Sequence, residues 1–228
     1  MLIGLLLVTT GYAAEPIRVA VIDTGLTELT KVKLCKSGHT TFVGDKVTSL
    51  HGDNISGLIE KHAGNANYCQ IIITWYKEKL SNNQLMNNLA MSIKTAIEAK
   101  ADIINISGGG TTPYELESVY IKQALDKGIK VIASAGNYMD NLDVDCNFYP
   151  ACYDKRIIVV GNVNSDGTRH ALSNYGKRVT HYVVGVNRCA GQICLTGTSQ
   201  SAAIVTGRTV YKMFIEKKRK NNRIITGN

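Results

Sequence analysis

The run Asp102-Ile103-Ile104-Asn105-Ile106-Ser107-Gly108-Gly109-Gly110 leads into the helix-period segment Pro113 to Lys127 and then into Ile129-Lys130-Val131-Ile132-Ala133-Ser134. Two short β-branched runs therefore bracket a segment long enough to carry the chain back across a sheet, the pattern of parallel strands joined by a helix. Outward from this core the alternation recurs. Strands are predicted at Ile17 to Ile22, Gln70 to Trp75 and Ile157 to Val163, and helices at His51 to Lys61, Asn82 to Lys100 and from about Ser199 onward. Each connection is long enough for a right-handed crossover. The reading is an α/β fold in three layers, with a mainly parallel central sheet flanked by helices. In such sheets the ligand site lies beyond the carboxyl ends of the strands.

The chain has 228 residues, 44% of them apolar and 19% charged, a composition that supports one packed domain. With three prolines and no block of altered composition, no linker or repeat is evident. Met1 to Ala14 carries an apolar run followed by Gly11-Tyr12-Ala13-Ala14, which reads as a signal peptide over residues 1–13 ahead of one domain over 14–228. The run is too short to span a bilayer, so the expectation is a secreted or periplasmic protein without stable membrane association. Six cysteines, Cys35, Cys69, Cys146, Cys152, Cys189 and Cys194, fit an oxidising compartment. Six allow 15 pairings. Cys146 with Cys152 and Cys189 with Cys194 would close short loops and leave Cys35 with Cys69. The net charge of +8 is compatible with an acidic partner. Its densest stretch, Glu216 to Lys220, lies at the end of a helix-like segment, where cations complement the dipole. Nucleic-acid binding finds neither a module nor interleaved aromatics.

Chemistry-bearing residues gather at predicted strand ends. Asp23 follows Val19-Ala20-Val21-Ile22 and precedes Thr24-Gly25, so a carboxylate stands at a strand terminus. Asp-Thr-Gly alone also matches an aspartic protease, which would need a second copy or a dimer to supply the partner carboxylate. His51-Gly52 opens a helix, with Asp53 close enough to favour the helix N-terminus and to raise the proton affinity of His51. His39, His62, His170 and His181 read as structural or exposed. Ser107-Gly108-Gly109 ends a strand in residues that let another backbone approach. Val131-Ile-Ala-Ser134-Ala135-Gly136-Asn137 repeats that design with an amide at its end. Leu195-Thr-Gly-Thr-Ser199-Gln-Ser-Ala-Ala-Ile-Val-Thr-Gly207 sets a tight turn before a helix of small residues. That puts the Ser199 backbone amide among those left unpaired at a helix start, although an N-cap role would suit the same residues.

Taken in order from Ile17 to Phe214, these five segments resemble the subtilisin-like serine proteases. Asp before His before Ser is that family's chain order. The resemblance implies that Ser199 attacks the scissile carbonyl, His51 transfers its proton and Asp23 orients His51. The Asn137 amide and the Ser199 backbone would form the oxyanion hole. Ser107, Gly108 and Gly109, with Ser134, Ala135 and Gly136, would flank the bound peptide and its specificity pocket. It implies no cofactor and no catalytic metal. A calcium ion is compatible with such folds, but no run of closely spaced carboxylates marks a site. The expected partners are protein or peptide substrates, acted on by a monomer. Secreted relatives carry a pro-domain that is not evident here, so a helper or inhibitor supplied in trans is a further expectation. The chain also departs from the family at Asp53, Ser56, Gln200, Ser201, Ala203 and Thr206. A subtilisin-like module that only binds peptides is the alternative from another functional class.

Overall fold

A computed structural model describes residues 15–44, 47 and 49–226. The expected signal peptide lies outside the described residues. The strands are β1 (Ile17–Asp23), β2 (Leu34–Thr41), β3 (Tyr68–Thr74), β4 (Ile103–Ile106), β5 (Lys130–Ser134), β6 (Ile158–Val163), β7 (His181–Val184), β8 (Arg188–Ala190) and β9 (Ile193–Leu195). The helices are α1 (His51–Ala63), α2 (Asn82–Glu98), α3 (Glu115–Asp126) and α4 (Thr198–Thr226). A seven-stranded sheet runs in the order β2-β3-β1-β4-β5-β6-β7, parallel throughout, and β8 with β9 forms a separate antiparallel pair.

Period-two alternation assigns each face its helices. Ala20 and Ile22 of β1 pack with Leu89, Ile93, Ile121 and Ala124 of α2 and α3. Val19 and Val21 point the other way, to Ile55, Leu58 and Ile59 of α1 and Ala202 and Ala203 of α4. Strands buried on both faces need unbroken apolar runs, and β3 and β4 are buried at every residue. The three predicted layers are therefore present. Small residues on α4 have a packing reason: a Cβ on Gly207 would lie 2.7 Å from the Ile59 carbonyl oxygen, so α1 and α4 cross at close range.

One topological feature is not foreseen by the sequence. The steps β2 to β3, β3 to β4 and β4 to β5 all advance the same way through the sheet, yet α1 covers the face opposite α2 and α3. The β2-α1-β3 unit thus has the opposite hand to the two units that follow, and not every crossover can be right-handed. Its origin is the unpredicted edge strand β2. From β1 to β3 the chain steps in the reverse direction with its helix on the reverse face, which restores the common hand, and β2 is an excursion within that crossover.

The three disulfides are Cys35–Cys69, Cys146–Cys152 and Cys189–Cys194. The first ties β2 to β3, and His39 Nε2 adds a 2.7 Å hydrogen bond to Thr74 Oγ1 across the same pair.

Candidate active site

Asp23 is the last residue of β1, His51 the first of α1, and Ser199 stands in the first turn of α4. Two adjacent backbones that barely clear each other bring the first two together. A Cβ on Gly52 would lie 2.1 Å from the Gly25 carbonyl oxygen, so this position admits only glycine. Gly25 itself has φ +90°, a conformation that glycine takes without penalty. Helix α1 has no side-chain cap of its own, and Thr24 Oγ1 instead accepts from the Gly52 N–H at 2.9 Å. The strand-end turn therefore serves as the cap of the histidine-bearing helix. Gly52→Ala is expected to cost about 1–3 kcal/mol of stability through overpacking and to depress turnover as His51 shifts with the helix. Thermal unfolding and hydrolysis rates on one preparation would check it, and a variant with parent Tm and parent rate would show the close approach to be dispensable.

Asp23 Oδ1 hydrogen-bonds His51 Nδ1 at 2.7 Å and also accepts from the Thr24 N–H at 2.7 Å. The Asp23 side chain is 3% exposed and that of His51 30%, so the carboxylate is enclosed while the imidazole reaches an opening. Burial is the largest influence on His51 and favours its neutral form, but the charge and hydrogen bond of Asp23 together outweigh it and hold the pKa above the ordinary value. The partner is thus Asp23 and not Asp53. The Asp53 carboxylate accepts from the Thr27 N–H at 3.2 Å and from Thr27 Oγ1 at 3.0 Å, which fixes the loop after β1.

Ser199 Oγ donates to the Ser107 carbonyl at 2.8 Å, and Ser107 Oγ donates to the Ser199 carbonyl at 3.3 Å. The hydroxyl is thus parked on the end of β4 in this conformation rather than bonded to His51. Behind it runs a buried chain that no sequence motif announces: Thr206 Oγ1 donates to Asn105 Oδ1 at 2.8 Å, and Asn105 Nδ2 donates to Ser107 Oγ at 2.9 Å. Thr206 and Asn105 are 101 residues apart in the chain, so no local pattern signals their pairing.

Asn137 is exposed beyond the end of β5, and its Oδ1 accepts from the Thr198 N–H at 3.0 Å. That bond sets the amide against the start of α4, with Nδ2 facing Gly197. The loop is shaped by Asn174, a second residue that sequence reasoning does not find. Its Nδ2 donates to the Ala135 carbonyl at 2.9 Å, while its Oδ1 accepts from the N–H groups of Tyr138 and Asp140 at 2.9 and 3.0 Å. Gly136, at φ +98°, leaves room for that side chain: a Cβ there would meet Asn174 Nδ2 at 2.5 Å.

The six residues expected to flank a bound peptide divide into two groups. Ser107, Gly108 and Gly109 line a cavity of about 560 Å³ together with Asp23 and His51. Ser134, Ala135 and Gly136 are buried and do not line it. Both backbone groups of Gly110 are taken by Tyr149, at 3.0 and 2.8 Å, which leaves the open edge to the residues before it. Among the described residues no group of three or more His, Cys, Asp or Glu side chains is placed to hold a metal ion, and no helix is long and apolar enough to cross a membrane.

Comparison with known proteins bears on the family and the fold. The chain is 27% identical over 215 residues to Subtilisin DY of Bacillus licheniformis, covering 86% of this chain and 76% of that protein. It is 28% identical over 220 residues to the major intracellular serine protease of Bacillus subtilis (strain 168), covering 86% and 68%. It spans only 49% of the length of Subtilisin E of the same strain. Among solved structures it superposes on a lanthipeptide protease with a TM-score of 0.75 at 19% identity, covering 89% of this chain and 74% of that one. A cold-adapted subtilisin-like serine proteinase gives 0.68 at 20%, covering 87% and 76%. At these identities the structural likeness establishes the fold alone. The family model described as the subtilase family (Peptidase_S8) matches residues 15–213, and with Asp23, His51 and Ser199 standing in that family's order the chain belongs to the subtilase family of serine endopeptidases.

Proposed function

We propose that the protein is an exported endopeptidase that cleaves protein or peptide substrates through an acyl-enzyme, with Ser199 as nucleophile, His51 as general base and then acid, and Asp23 as the group that orients and charges His51. The observation that carries this reading is the 2.7 Å contact between the enclosed Asp23 carboxylate and His51 Nδ1, which directs the other imidazole nitrogen away from the carboxylate. On this reading Ser199 exchanges its bond to the Ser107 carbonyl for one to His51. The three disulfides support action in an oxidising compartment. The pairing of Asp23 with a histidine rather than a second carboxylate speaks against an aspartic protease.

The developing oxyanion would meet the Ser199 backbone N–H at the start of α4 and the Asn137 amide, whose orientation the Thr198 bond has already fixed. Asn137→Ala is expected to lower kcat by about 10²–10³ with little change in KM, a magnitude that belongs to the equivalent amide of subtilisin, itself a member of this family. Steady-state hydrolysis of one peptide substrate by both proteins checks it, and an equal rise in KM at constant kcat would assign Asn137 to uniform binding of substrate and transition state.

The peptidase reading is tested by labelling the folded protein with a fluorophosphonate and mapping the adduct. Modification of Ser199, absent in His51→Ala, is the expected result. A folded protein that does not react would point to a module that binds peptides without cleaving them.

A further inference from the structure

The cavity beside Asp23 and His51 is walled by Trp75, Tyr76, Leu85, Met86 and Leu89, and its lining also includes Glu117. A carboxyl group among apolar walls needs a reason, and the helix it belongs to does not supply one. Glu117 lies in the first turn of α3, where a glutamate commonly reaches back to the N–H of the capping residue. Here that N–H, on Tyr114, donates to Tyr153 Oη at 2.7 Å, and the Tyr114 side chain makes no cap either. Glu117 is 2% exposed. Its Oε1 is buried with no hydrogen-bond partner, and its Oε2 receives only a 3.4 Å contact from Tyr153 Oη. It forms no ion pair with any lysine or arginine among the described residues.

We infer that this cavity is a specificity pocket for a basic side chain of the substrate, lysine or arginine, with Glu117 as the residue that selects it. The inference rests on the peptidase reading in taking the occupant to be a peptide bound near the cut. The aliphatic stem of such a side chain suits the apolar walls, and its cation suits the unpartnered oxygen at the pocket's only carboxyl besides Asp23 among the described residues. Asp23 is already committed to His51 and Thr24, so Glu117 is the available anion. Burial pushes its carboxyl up to about 8, so the empty pocket holds a neutral acid and avoids an unpaired buried charge. An incoming ammonium or guanidinium would pair with the carboxylate once that proton leaves for solvent, a release that costs about a factor of ten in affinity at neutral pH. The position of Glu117 in the first turn of α3 favours the ionised form that results.

The test separates this pocket from the chemistry. Trp75 is the only tryptophan of the chain and lines the cavity, so its fluorescence reports occupancy. Full-length Ser199→Ala protein would be titrated with blocked alanine hexapeptides carrying one lysine, norleucine or acetyl-lysine at each position in turn. The expected result is that, at one position, lysine binds about tenfold or more tightly than both uncharged counterparts, and that Glu117→Gln removes the difference. Equal affinities for the three peptides, absence of binding at millimolar concentration, or a lysine preference that survives in Glu117→Gln would overturn the inference. The acetyl-lysine comparison decides the matter within the Glu117-containing protein should the Gln variant fail to fold. Because binding is read without Ser199, failure of fluorophosphonate labelling in the parent would count against the peptidase reading and leave this result standing.

Discussion

Replacing Ser199 by alanine is expected to reduce peptide hydrolysis by about six orders of magnitude, the scale known for the corresponding serine of subtilisin itself. The direction follows from the site. Ser199 Oγ reaches the carbonyl at the end of β4, and the residue before it is bonded to the Asn137 amide, so on the proposed mechanism loss of Oγ removes the nucleophile that His51 would deprotonate. On the proposed mechanism Ser199 and His51 act as one unit, so His51→Ala should cost about as much, and the double variant scarcely more than either single one. A residual rate well above that of the uncatalysed reaction should persist, since the Ser199 backbone and Asn137 still hold the oxyanion in the alanine variant. The measurement is initial rates of all three variants on one chromogenic peptide, with circular dichroism to confirm the fold. Substantial activity in Ser199→Ala, sensitive to replacement of Asp23 alone, would return the chain to the aspartic-protease reading.

The parts of this architecture that can be read from the chain are those whose physics is local. Strands β1, β3, β4 and β5 are covered on both faces and so appear as continuous apolar runs. Helix α2 stops two residues short of its predicted end for a reason invisible to periodicity: Lys100 takes φ +55°, and the helix closes before it. Strand β2 (Leu34–Thr41) carries no such signal because it is an edge with much of its length exposed, built from Lys36, Ser37, Gly38 and His39, and held in place by the cross-links to β3. The same holds for β7, another edge strand, whose first two residues are exposed.

Within the site the candidate reacting groups are legible, since each carries its own motif at a strand end or helix start. Their supports are not. Thr24 as the cap of α1, Asn174 as the clamp on the Asn137 loop, and the Thr206–Asn105–Ser107 chain all act across large separations in sequence. Asp53 misleads for the complementary reason. Proximity in sequence to His51 suggests an electrostatic role, whereas helical geometry turns it to Thr27. Several departures from the family therefore have structural partners. Gln200 Nε2 donates to Asn54 Oδ1 at 3.1 Å, and Asn54 Nδ2 holds the carbonyls of Arg188 and Ile193, which tethers the β8–β9 hairpin to α1.

Asp23→Asn should show what the buried carboxylate contributes, with a fall in kcat of about 10⁴. Two effects of the same substitution can be told apart by pH. In the parent, burial disfavours the imidazolium, and the Asp23 charge and hydrogen bond more than reverse this, so His51 protonates above its ordinary value. On the proposed mechanism hydrolysis needs neutral His51 as the base and should therefore decline as pH falls through that raised pKa. Asparagine keeps the shape but removes the charge, leaving burial as the dominant influence. The acid limb of the residual activity should move to lower pH. The stability that Asp23 lends through His51 has the matching sign. It is fully present below the unfolded imidazole pKa, near 6.5, and is lost as pH rises through the folded one. Denaturant unfolding should thus separate parent from Asp23→Asn more at pH 5 than at pH 9, as far as the imidazole pairing is concerned. A pH–rate profile whose acid limb stays in place would mean that Asp23 only orients the ring, because orientation alone leaves the proton affinity of His51 untouched.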